Sequence, residues 1–279
     1  MSFTVFLAVL IAAFLHASWN VLVKLNIDRF LSLFLIQTLM GFMGLAMLLV
    51  FAWPHAASLP YALTSGILHT GYNLFLARSY RTGDLSVVYP VARGTAPLIT
   101  LAASYAFTQD SISPFATVGI LVLIAGIWLI ALGPSKALKV DRNTLLYALG
   151  TSIFIGCYTV VDGLGGRASG APSGYTGLVF VLDAVFLLAA GLTLRGPQIL
   201  RYAVPHWRRG VIGAAASGGA YWIVIWAMSV APIAMVAALR ETSILIAIGL
   251  SAKILKEPLT ISRVAGALLV VAGAIALRA

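Results

Sequence analysis

The chain has 279 residues, of which 61% are hydrophobic and 9% charged, and its formal net charge is +10. This composition excludes a soluble globular domain, in which roughly 25% of residues are charged. The basic residues lie at the ends of apolar segments, so their excess indicates membrane topology and not nucleic-acid binding.

Apolar segments of about 20 residues recur along the chain, and each is long enough to cross a hydrocarbon core of roughly 30 Å. We predict ten helical spans, separated by breaks rich in glycine and proline. The first five are Phe3–Val23, Phe30–Trp53, Pro60–Arg78, Leu85–Phe107 and Pro114–Leu132. The second five are Asn143–Gly163, Ser173–Leu194, Arg209–Met228, Pro232–Ile254 and Ser262–Leu277. The glycine-rich stretch Gly163–Gly174 is predicted to be a loop.

The two halves of the chain are related by an internal repeat. At an offset of 147 residues, Gly66–Gly126 aligns with Gly213–Gly273 without gaps, and Arg93 and four glycines fall on identical residues. Five spans is an odd number, so the second half must enter the membrane inverted, as in many secondary transporters. We therefore predict an all-α integral membrane fold of ten transmembrane helices. Residues 1–134 and 135–279 form two inverted five-helix repeats and together one transport domain.

The distribution of lysine and arginine predicts the orientation. Apart from Arg93 and Arg240, 14 basic residues lie on the side of the loops that follow odd-numbered spans, and two, Arg167 and Arg278, lie on the other side. Because cytoplasmic loops carry the excess of positive charge, both termini are predicted to be non-cytoplasmic.

The two repeated arginines are the first candidates for a binding site. Each lies within an apolar span, where an arginine costs roughly 2.5–3.5 kcal/mol on insertion scales. They are either structural ion pairs or guanidinium groups that hold a carboxylate, phosphate or phosphonate. Near Arg93, prolines at 90 and 97 loosen the helix, which suits a wall of a wet cavity. Tyr89, Thr95 and Thr242 are included in the predicted site because they flank the arginines.

Two carboxylates lie in predicted spans beside or opposite these arginines. Glu241 follows Arg240 and has no acidic counterpart in the first half. It could accept a substrate ammonium or a coupling proton, or it could neutralise an arginine. Asp183 stands alone in span seven and is either a carrier of a coupling proton or a protonated group bonded to a neighbouring helix.

A pattern of histidine, two residues, an aromatic residue and asparagine occurs twice, as His16-Ala17-Ser18-Trp19-Asn20 and as His69-Thr70-Gly71-Tyr72-Asn73. The spacing places His16, Trp19 and Asn20, and likewise His69, Tyr72 and Asn73, on one helix face. Each face either lines a cavity or bonds neighbouring helices together, at about 0.6 kcal/mol per bond. Trp222 is a candidate for an aromatic wall, or for simple packing.

Glycines recur at two-turn spacing in spans five and ten, at Gly119, Gly126, Gly266 and Gly273. Small residues on one face permit close contact between helices. We predict a structural role for them, with a dimer seam as one option.

The end of each half resembles the EamA family of the drug/metabolite transporter superfamily. Leu255-Lys256-Glu257-Pro258-Leu259-Thr260, followed by a glycine-bearing last span, is similar to a recurring turn of that family, and Trp19 and Lys24 match its first span. The first half departs from the pattern, since it has Gln109–Ser113 in place of the turn. The resemblance implies secondary transport of small metabolites, often export, with termini often inside. The segment Tyr89–Gly94 is also similar to a bacterial subgroup associated with phosphonate use.

We therefore expect a multi-pass protein of the bacterial inner membrane that transports a small anionic metabolite by alternating access, with proton coupling or exchange. Its expected partners are a small-molecule substrate and the lipid bilayer, not nucleic acid, and it would be a monomer or homodimer without cofactor or metal. Rival functions are export of amino acids or other zwitterions, with Glu241 binding the ammonium, and a lipid or polyprenyl-phosphate flippase. A membrane enzyme is disfavoured because the sequence contains neither Gly-x-Ser-x-Gly nor His-Glu-x-x-His.

Overall fold

The computed structural model describes residues 1–24, 29–82, 85–131, 142–254 and 260–278, and all regular secondary structure within these ranges is helical. The helices are α1 Phe3–Lys24, α2 Arg29–Val50, α3 Leu59–Thr82, α4 Leu85–Phe107, α5 Pro114–Ala131, α6 Arg142–Ala168, α7 Pro172–Arg195, α8 Gln198–Val230, α9 Ile233–Arg240, α10 Ser243–Ile254 and α11 Ile261–Ala276. A single 3₁₀ turn, Ala56–Ser58, precedes α3. The Glu257-Pro258-Leu259 turn lies outside the described residues.

Five helices contain segments long and apolar enough to cross a membrane by length and composition. The segments are Phe3–Asn20, Phe30–Val50, Arg142–Ala168, Pro172–Arg195 and Pro205–Val230, and α5 and α11 contain shorter apolar segments. The chain is therefore a multi-pass membrane protein.

The prediction of a loop over Gly163–Gly174 is wrong for residues 163–168, which are helical. Helix α6 continues to Ala168, and α7 begins at Pro172. Gly163 lies against Ile233, and Gly166 lies against Ile225. These glycines therefore serve close packing between helices, and the composition that indicated a loop indicates a helix contact instead.

The predicted start of span eight at Arg209 is also wrong, because α8 begins at Gln198 and contains Pro205. The preceding helix ends at Gly196, whose φ of 69° is a left-handed conformation that favours glycine. Pro197 is the N-cap residue of α8. At this position the N–H group that proline lacks is not required for a helical hydrogen bond. A chain reversal therefore takes only these two residues, and the polar segment that follows is helical.

Span nine is predicted as one helix but is divided into α9 and α10 at Glu241 and Thr242. At this break the amides of Glu241 and Thr242 donate to the carbonyls of Ala238 and Leu239, three residues back, at 3.0 and 3.1 Å. The Thr242 hydroxyl also donates to the Leu239 carbonyl at 2.8 Å. Such side-chain bonds compete with the helical pattern, so the apolar run of span nine does not predict its continuity.

The two halves pack against each other, with α1 on α8, α2 on α7, α3 on α6 and α5 on α11. The largest apolar core is shared by α1, α5, α8, α9 and α11. Its fully buried members include Val9, Ile120, Val224, Ile233 and Val270. The core therefore joins the halves, and among the described residues each apolar cluster contains side chains from both.

The glycines of α5 and α11 face each other inside the chain. A Cβ atom on Gly126 would lie 2.6 Å from the Gly266 carbonyl oxygen, and one on Gly273 would lie 2.6 Å from that of Gly119. These glycines are thus committed to an intramolecular contact, which overturns the option that they form a dimer seam.

Candidate functional site

A buried cluster of three charged side chains lies where α4 meets the break between α9 and α10. The Nε atom of Arg93 is 2.8 Å from Oε2 of Glu241, and Nη2 of Arg240 is 3.8 Å from Oε1 of the same carboxylate. Arg93, Arg240 and Glu241 are 5%, 4% and 2% exposed. Glu241 is thus tightly paired with Arg93 and loosely with Arg240, and the formal charge of these three side chains together is +1.

The helix break explains why these groups can meet. Arg240 is the last residue of α9, where a positive charge interacts favourably with the helix dipole. Neighbours within one helix point about 100° apart, but the turn at Glu241 and Thr242 reorients the chain so that Glu241 reaches across to α4. Broken helices at membrane depth are tolerated only where protein or a cavity surrounds them.

A cavity lies between the two halves beside this cluster. It is lined by His16, Trp19, Leu33, Ile36, Gln37, Met40, His69, Tyr72, Asn73, Tyr158, Val179, Phe180, Asp183, Ser217, Tyr221 and Arg240. Six predicted binding residues, His16, Trp19, His69, Tyr72, Asn73 and Arg240, are among them, together with Asp183. The cavity therefore unites both His-x-x-aromatic-Asn faces with one of the two repeated arginines.

The remaining predicted residues lie outside this lining. Arg93 and Glu241 are not among the lining residues, but Glu241 lies 3.8 Å from Arg240, which is. The side chain of Asn20 bonds the His16 carbonyl of its own helix at 2.8 Å, and Trp222 Nε1 donates to the Ser173 hydroxyl at 2.9 Å. Thr95 is half-buried and Thr242 is buried. The side chain of Tyr89 is outside the described part of the chain.

Asp183 is held at one side of the cavity by an amide that the sequence analysis missed. Gln37 Nε2 donates to Asp183 Oδ2 at 2.5 Å, while Oδ1 has no hydrogen-bond partner among the described residues. Asp183 is 4% exposed. A polar residue inside the predicted span two was a usable signal for Gln37, of the same kind that singled out Asn73.

A second buried carboxylate, Asp162, was also missed. It is 0% exposed and accepts hydrogen bonds from the hydroxyls of Tyr175, at 3.1 Å, and of Tyr221. Tyr221 lines the cavity and lies edge-on to His69, which stacks on Tyr158 with ring centroids 4.0 Å apart. Asp162 stands one residue before the predicted end of span six, where an acidic residue suggests a span boundary, but the longer α6 buries it.

An ion pair joins several helix ends at the end of the molecule that bears the termini. Nη1 of Arg167 is 2.7 Å from Oδ1 of Asp110, and Nε and Nη2 donate to the carbonyls of Met228 and Ala231 at 2.9 and 2.8 Å. Asp110 Oδ2 in turn accepts the amide of Ile233, the first residue of α9, at 2.8 Å. We call Arg167 and Asp110 the end pair; it ties the α4–α5 connection and α6 to both sides of the turn before α9.

In the described ranges no group of three or more His, Cys, Asp or Glu side chains is arranged to hold a metal ion. The cavity instead offers one guanidinium, one carboxylate, two imidazoles, amides and hydroxyls. These groups bind small polar molecules by charge and hydrogen bonds, with Trp19 and three tyrosines supplying aromatic surface.

Comparison with known proteins identifies the fold and the family to which this architecture belongs. No curated relative matches the chain. A protein of known crystal structure matches 99% of this chain and 96% of its own with a TM-score of 0.78, at 16% identity, so the likeness shows a common fold. The pattern of the EamA-like transporter family matches residues 3–132 and again residues 142–279, which is one match for each half. This chain, a two-repeat all-helical membrane protein, therefore belongs to the EamA-like transporter family.

Proposed function

We propose that this protein is a secondary transporter of the bacterial inner membrane that moves a small anionic metabolite bearing a carboxylate, phosphate or phosphonate. Arg240 is the observation that carries this proposal. Its guanidinium is 4% exposed and lines the cavity, and its Nε atom has no hydrogen-bond partner among the described residues. A buried arginine needs a compensating anion, and the planar guanidinium matches the geometry of these acidic groups.

The two arginines have different roles in this proposal. Arg93 binds Glu241 and fixes the helix break, whereas Arg240, which contacts Glu241 only at 3.8 Å, receives the substrate. His16, Trp19, His69, Tyr72 and Asn73 set selectivity around the bound anion. Asn20, Thr95, Thr242 and Trp222, which are not among the lining residues, have a supporting role in this proposal.

The proposed architecture is ten spans in two inverted five-helix repeats, with α9 and α10 counted as one broken span. The contacts of α5 with α11 support it. The repeat offset makes Gly119 equivalent to Gly266 and Gly126 to Gly273, and Gly126 meets Gly266 while Gly119 meets Gly273. Such an exchange of partners is what a two-fold relation between the halves produces.

The proposed mechanism is alternating access around the cavity between the halves. Opening toward the end that bears the termini requires Arg167 to part from Asp110, since the end pair connects elements of both halves. Transport is coupled to protons or to exchange. Of the two predicted proton carriers, Glu241 is held by Arg93, so Asp183 is the carboxylate within the cavity.

The test is thermal stabilisation of the purified protein in detergent by acetate, succinate, inorganic phosphate and methylphosphonate at matched ionic strength, with chloride as reference. A ligand at 100 times its Kd stabilises the native state by about 2.7 kcal/mol. We expect at least one anion to stabilise the wild type but not Arg240→Gln. Arg167→Gln removes an arginine outside the cavity and should retain the effect. Equal stabilisation of Arg240→Gln, or no stabilisation of the wild type, would overturn the proposal.

A further inference from the structure

We propose that the cavity contains a second recognition point, at Asp183, which binds an amine of the substrate, so that the transported anion is an amino-bearing one. This inference rests on the proposed function, because it takes Arg240 as the site of the acidic group. It extends that function by specifying the group at the other end of the substrate.

Only one oxygen of the Asp183 carboxylate has a hydrogen-bond partner among the described residues. Oδ2 receives the amide of Gln37, and Oδ1 has no partner among the described residues although the side chain is 4% exposed. A buried carboxylate oxygen without a donor carries a desolvation penalty. A donor from a bound ligand removes that penalty, and an ammonium group does so with the complementary charge.

Asp183 is also the one carboxylate among the described residues that line the cavity. Glu241 faces Arg93 and is not part of the lining, so it is not available to an ammonium group. The cavity thus presents one fixed cation, Arg240 on α9, and one carboxylate, Asp183 on α7, which come from different helices. A ligand that satisfies both must carry an acidic group and a basic group on one molecule.

The aromatic residues that line the cavity suit such a ligand. Tyr72, Tyr158 and Tyr221 meet as an edge-on aromatic group, with ring centroids 5.7 Å apart for Tyr72 and Tyr158 and 6.1 Å apart for Tyr158 and Tyr221. All three rings line the cavity together with Trp19. Aromatic faces attract a desolvated ammonium group, whereas they offer an anion nothing comparable.

The experiment compares matched pairs of ligands that differ only in the amine. The pairs are β-alanine with propionate and 3-aminopropylphosphonate with propylphosphonate, titrated into purified wild-type protein, Asp183→Asn and Arg240→Gln, with affinity obtained from calorimetry or from thermal shifts. We expect the aminated member of at least one pair to bind the wild type about tenfold or more tightly than its partner. Asp183→Asn should abolish that difference, because the amine then meets a neutral amide in place of a carboxylate.

The outcomes separate the two proposals. If the amine-free anion binds and depends on Arg240, but the amine adds nothing in the wild type, the amine site is wrong and the anion transporter stands. If the aminated ligand binds Asp183→Asn as tightly as wild type, the amine site is likewise wrong. If none of the four ligands binds the wild type, the amine site is wrong, and the proposed function is decided separately by the stabilisation test with acetate, succinate, phosphate and methylphosphonate. Because the wild-type comparison is decisive by itself, poor folding of Asp183→Asn does not remove the test.

Discussion

Glu241 stabilises two buried arginines, and in the proposed function it also limits the binding of an anion to Arg240. Its carboxylate neutralises Arg93 at 2.8 Å and shares its charge with Arg240 at 3.8 Å. A substrate anion at Arg240 therefore competes with Glu241 for the same guanidinium. Opposite charges about 4 Å apart attract by about 4 kcal/mol at an effective dielectric constant of 20, so this competition is large enough to measure.

Substitution of Glu241 by Gln should consequently change stability and affinity in opposite directions. Two buried arginines would be left without their carboxylate, which should lower the free energy of unfolding by about 3–5 kcal/mol. Arg240 would at the same time lose its internal competitor, so the anion that binds the wild type should bind Glu241→Gln about tenfold more tightly. Thermal unfolding with and without the anion measures both effects.

The end pair supplies a matched control for this prediction. Asp110→Asn also removes the carboxylate partner of an arginine, but the Arg167 side chain is 28% exposed and keeps two backbone carbonyls as acceptors. It should destabilise the protein less and leave anion affinity unchanged. Weaker anion binding by Glu241→Gln would show instead that Glu241 belongs to the substrate site.

At this scale the sequence predicted which buried polar residues lie close together better than it predicted how they pair. Arg93, Arg240, Asp183, His16 and His69 were identifiable because charged and polar groups are costly in apolar spans. Which of the two arginines lies closer to Glu241 depends on the backbone turn at Glu241 and Thr242. The hydrophobic periodicity of the sequence does not indicate that turn. Gln37 was missed although its polarity within span two was a usable signal, and Asp162 was missed because its position beside the predicted end of span six suggested a span boundary.

At the scale of elements, the contact between α5 and α11 leaves no space for an added methyl group. A Cβ on Gly266 would lie 2.6 Å from both the Gly126 carbonyl oxygen and Cγ1 of Ile130. One of these neighbours is backbone, so the helices themselves must separate. Gly249 of α10 has nothing within 4 Å of the corresponding position, which makes it a control within the same half.

Gly266→Ala should therefore destabilise the protein, while Gly249→Ala should not. Forcing closely packed helices apart costs about 1–3 kcal/mol, whereas alanine in an unobstructed helical position is favoured over glycine by up to about 1 kcal/mol. We expect a lower thermal unfolding midpoint for Gly266→Ala and an unchanged or higher one for Gly249→Ala. Equal midpoints for the two variants would contradict the close contact.

The elements themselves were predictable to the extent that hydropathy determines them. Apolar length located the helices, but glycines in Gly163–Gly174 signalled a loop where they permit packing, and the polar start of α8 signalled a loop where a two-residue reversal suffices. Composition does not distinguish a glycine that bends the chain from one that admits a neighbour. That distinction requires the neighbouring helix.

At the scale of the whole molecule, the predicted orientation depends on the excess of basic residues on one side. Of the two basic residues assigned to the termini-bearing side, Arg167 is paired with Asp110 at 2.7 Å. The sequence assigns the other 14 loop and span-end lysines and arginines to the opposite side. Positive charge near the ends of spans determines which side stays in the cytoplasm, so the paired arginine weakens the only competing signal.

Both termini should therefore face away from the cytoplasm. Alkaline phosphatase, which is active only outside the cytoplasm, should be active when fused after Ala279 and inactive when fused after Lys139, within the basic stretch between the two halves. A fluorescent protein that folds only in the cytoplasm should give the reverse pattern at the two positions. Asp110→Asn, which leaves Arg167 without its carboxylate, serves as a sensitised background. If phosphatase at the C-terminus were inactive in the wild type, the orientation would be inverted. The end pair would then face the cytoplasm, and the end that must open when the pair parts would be the cytoplasmic one.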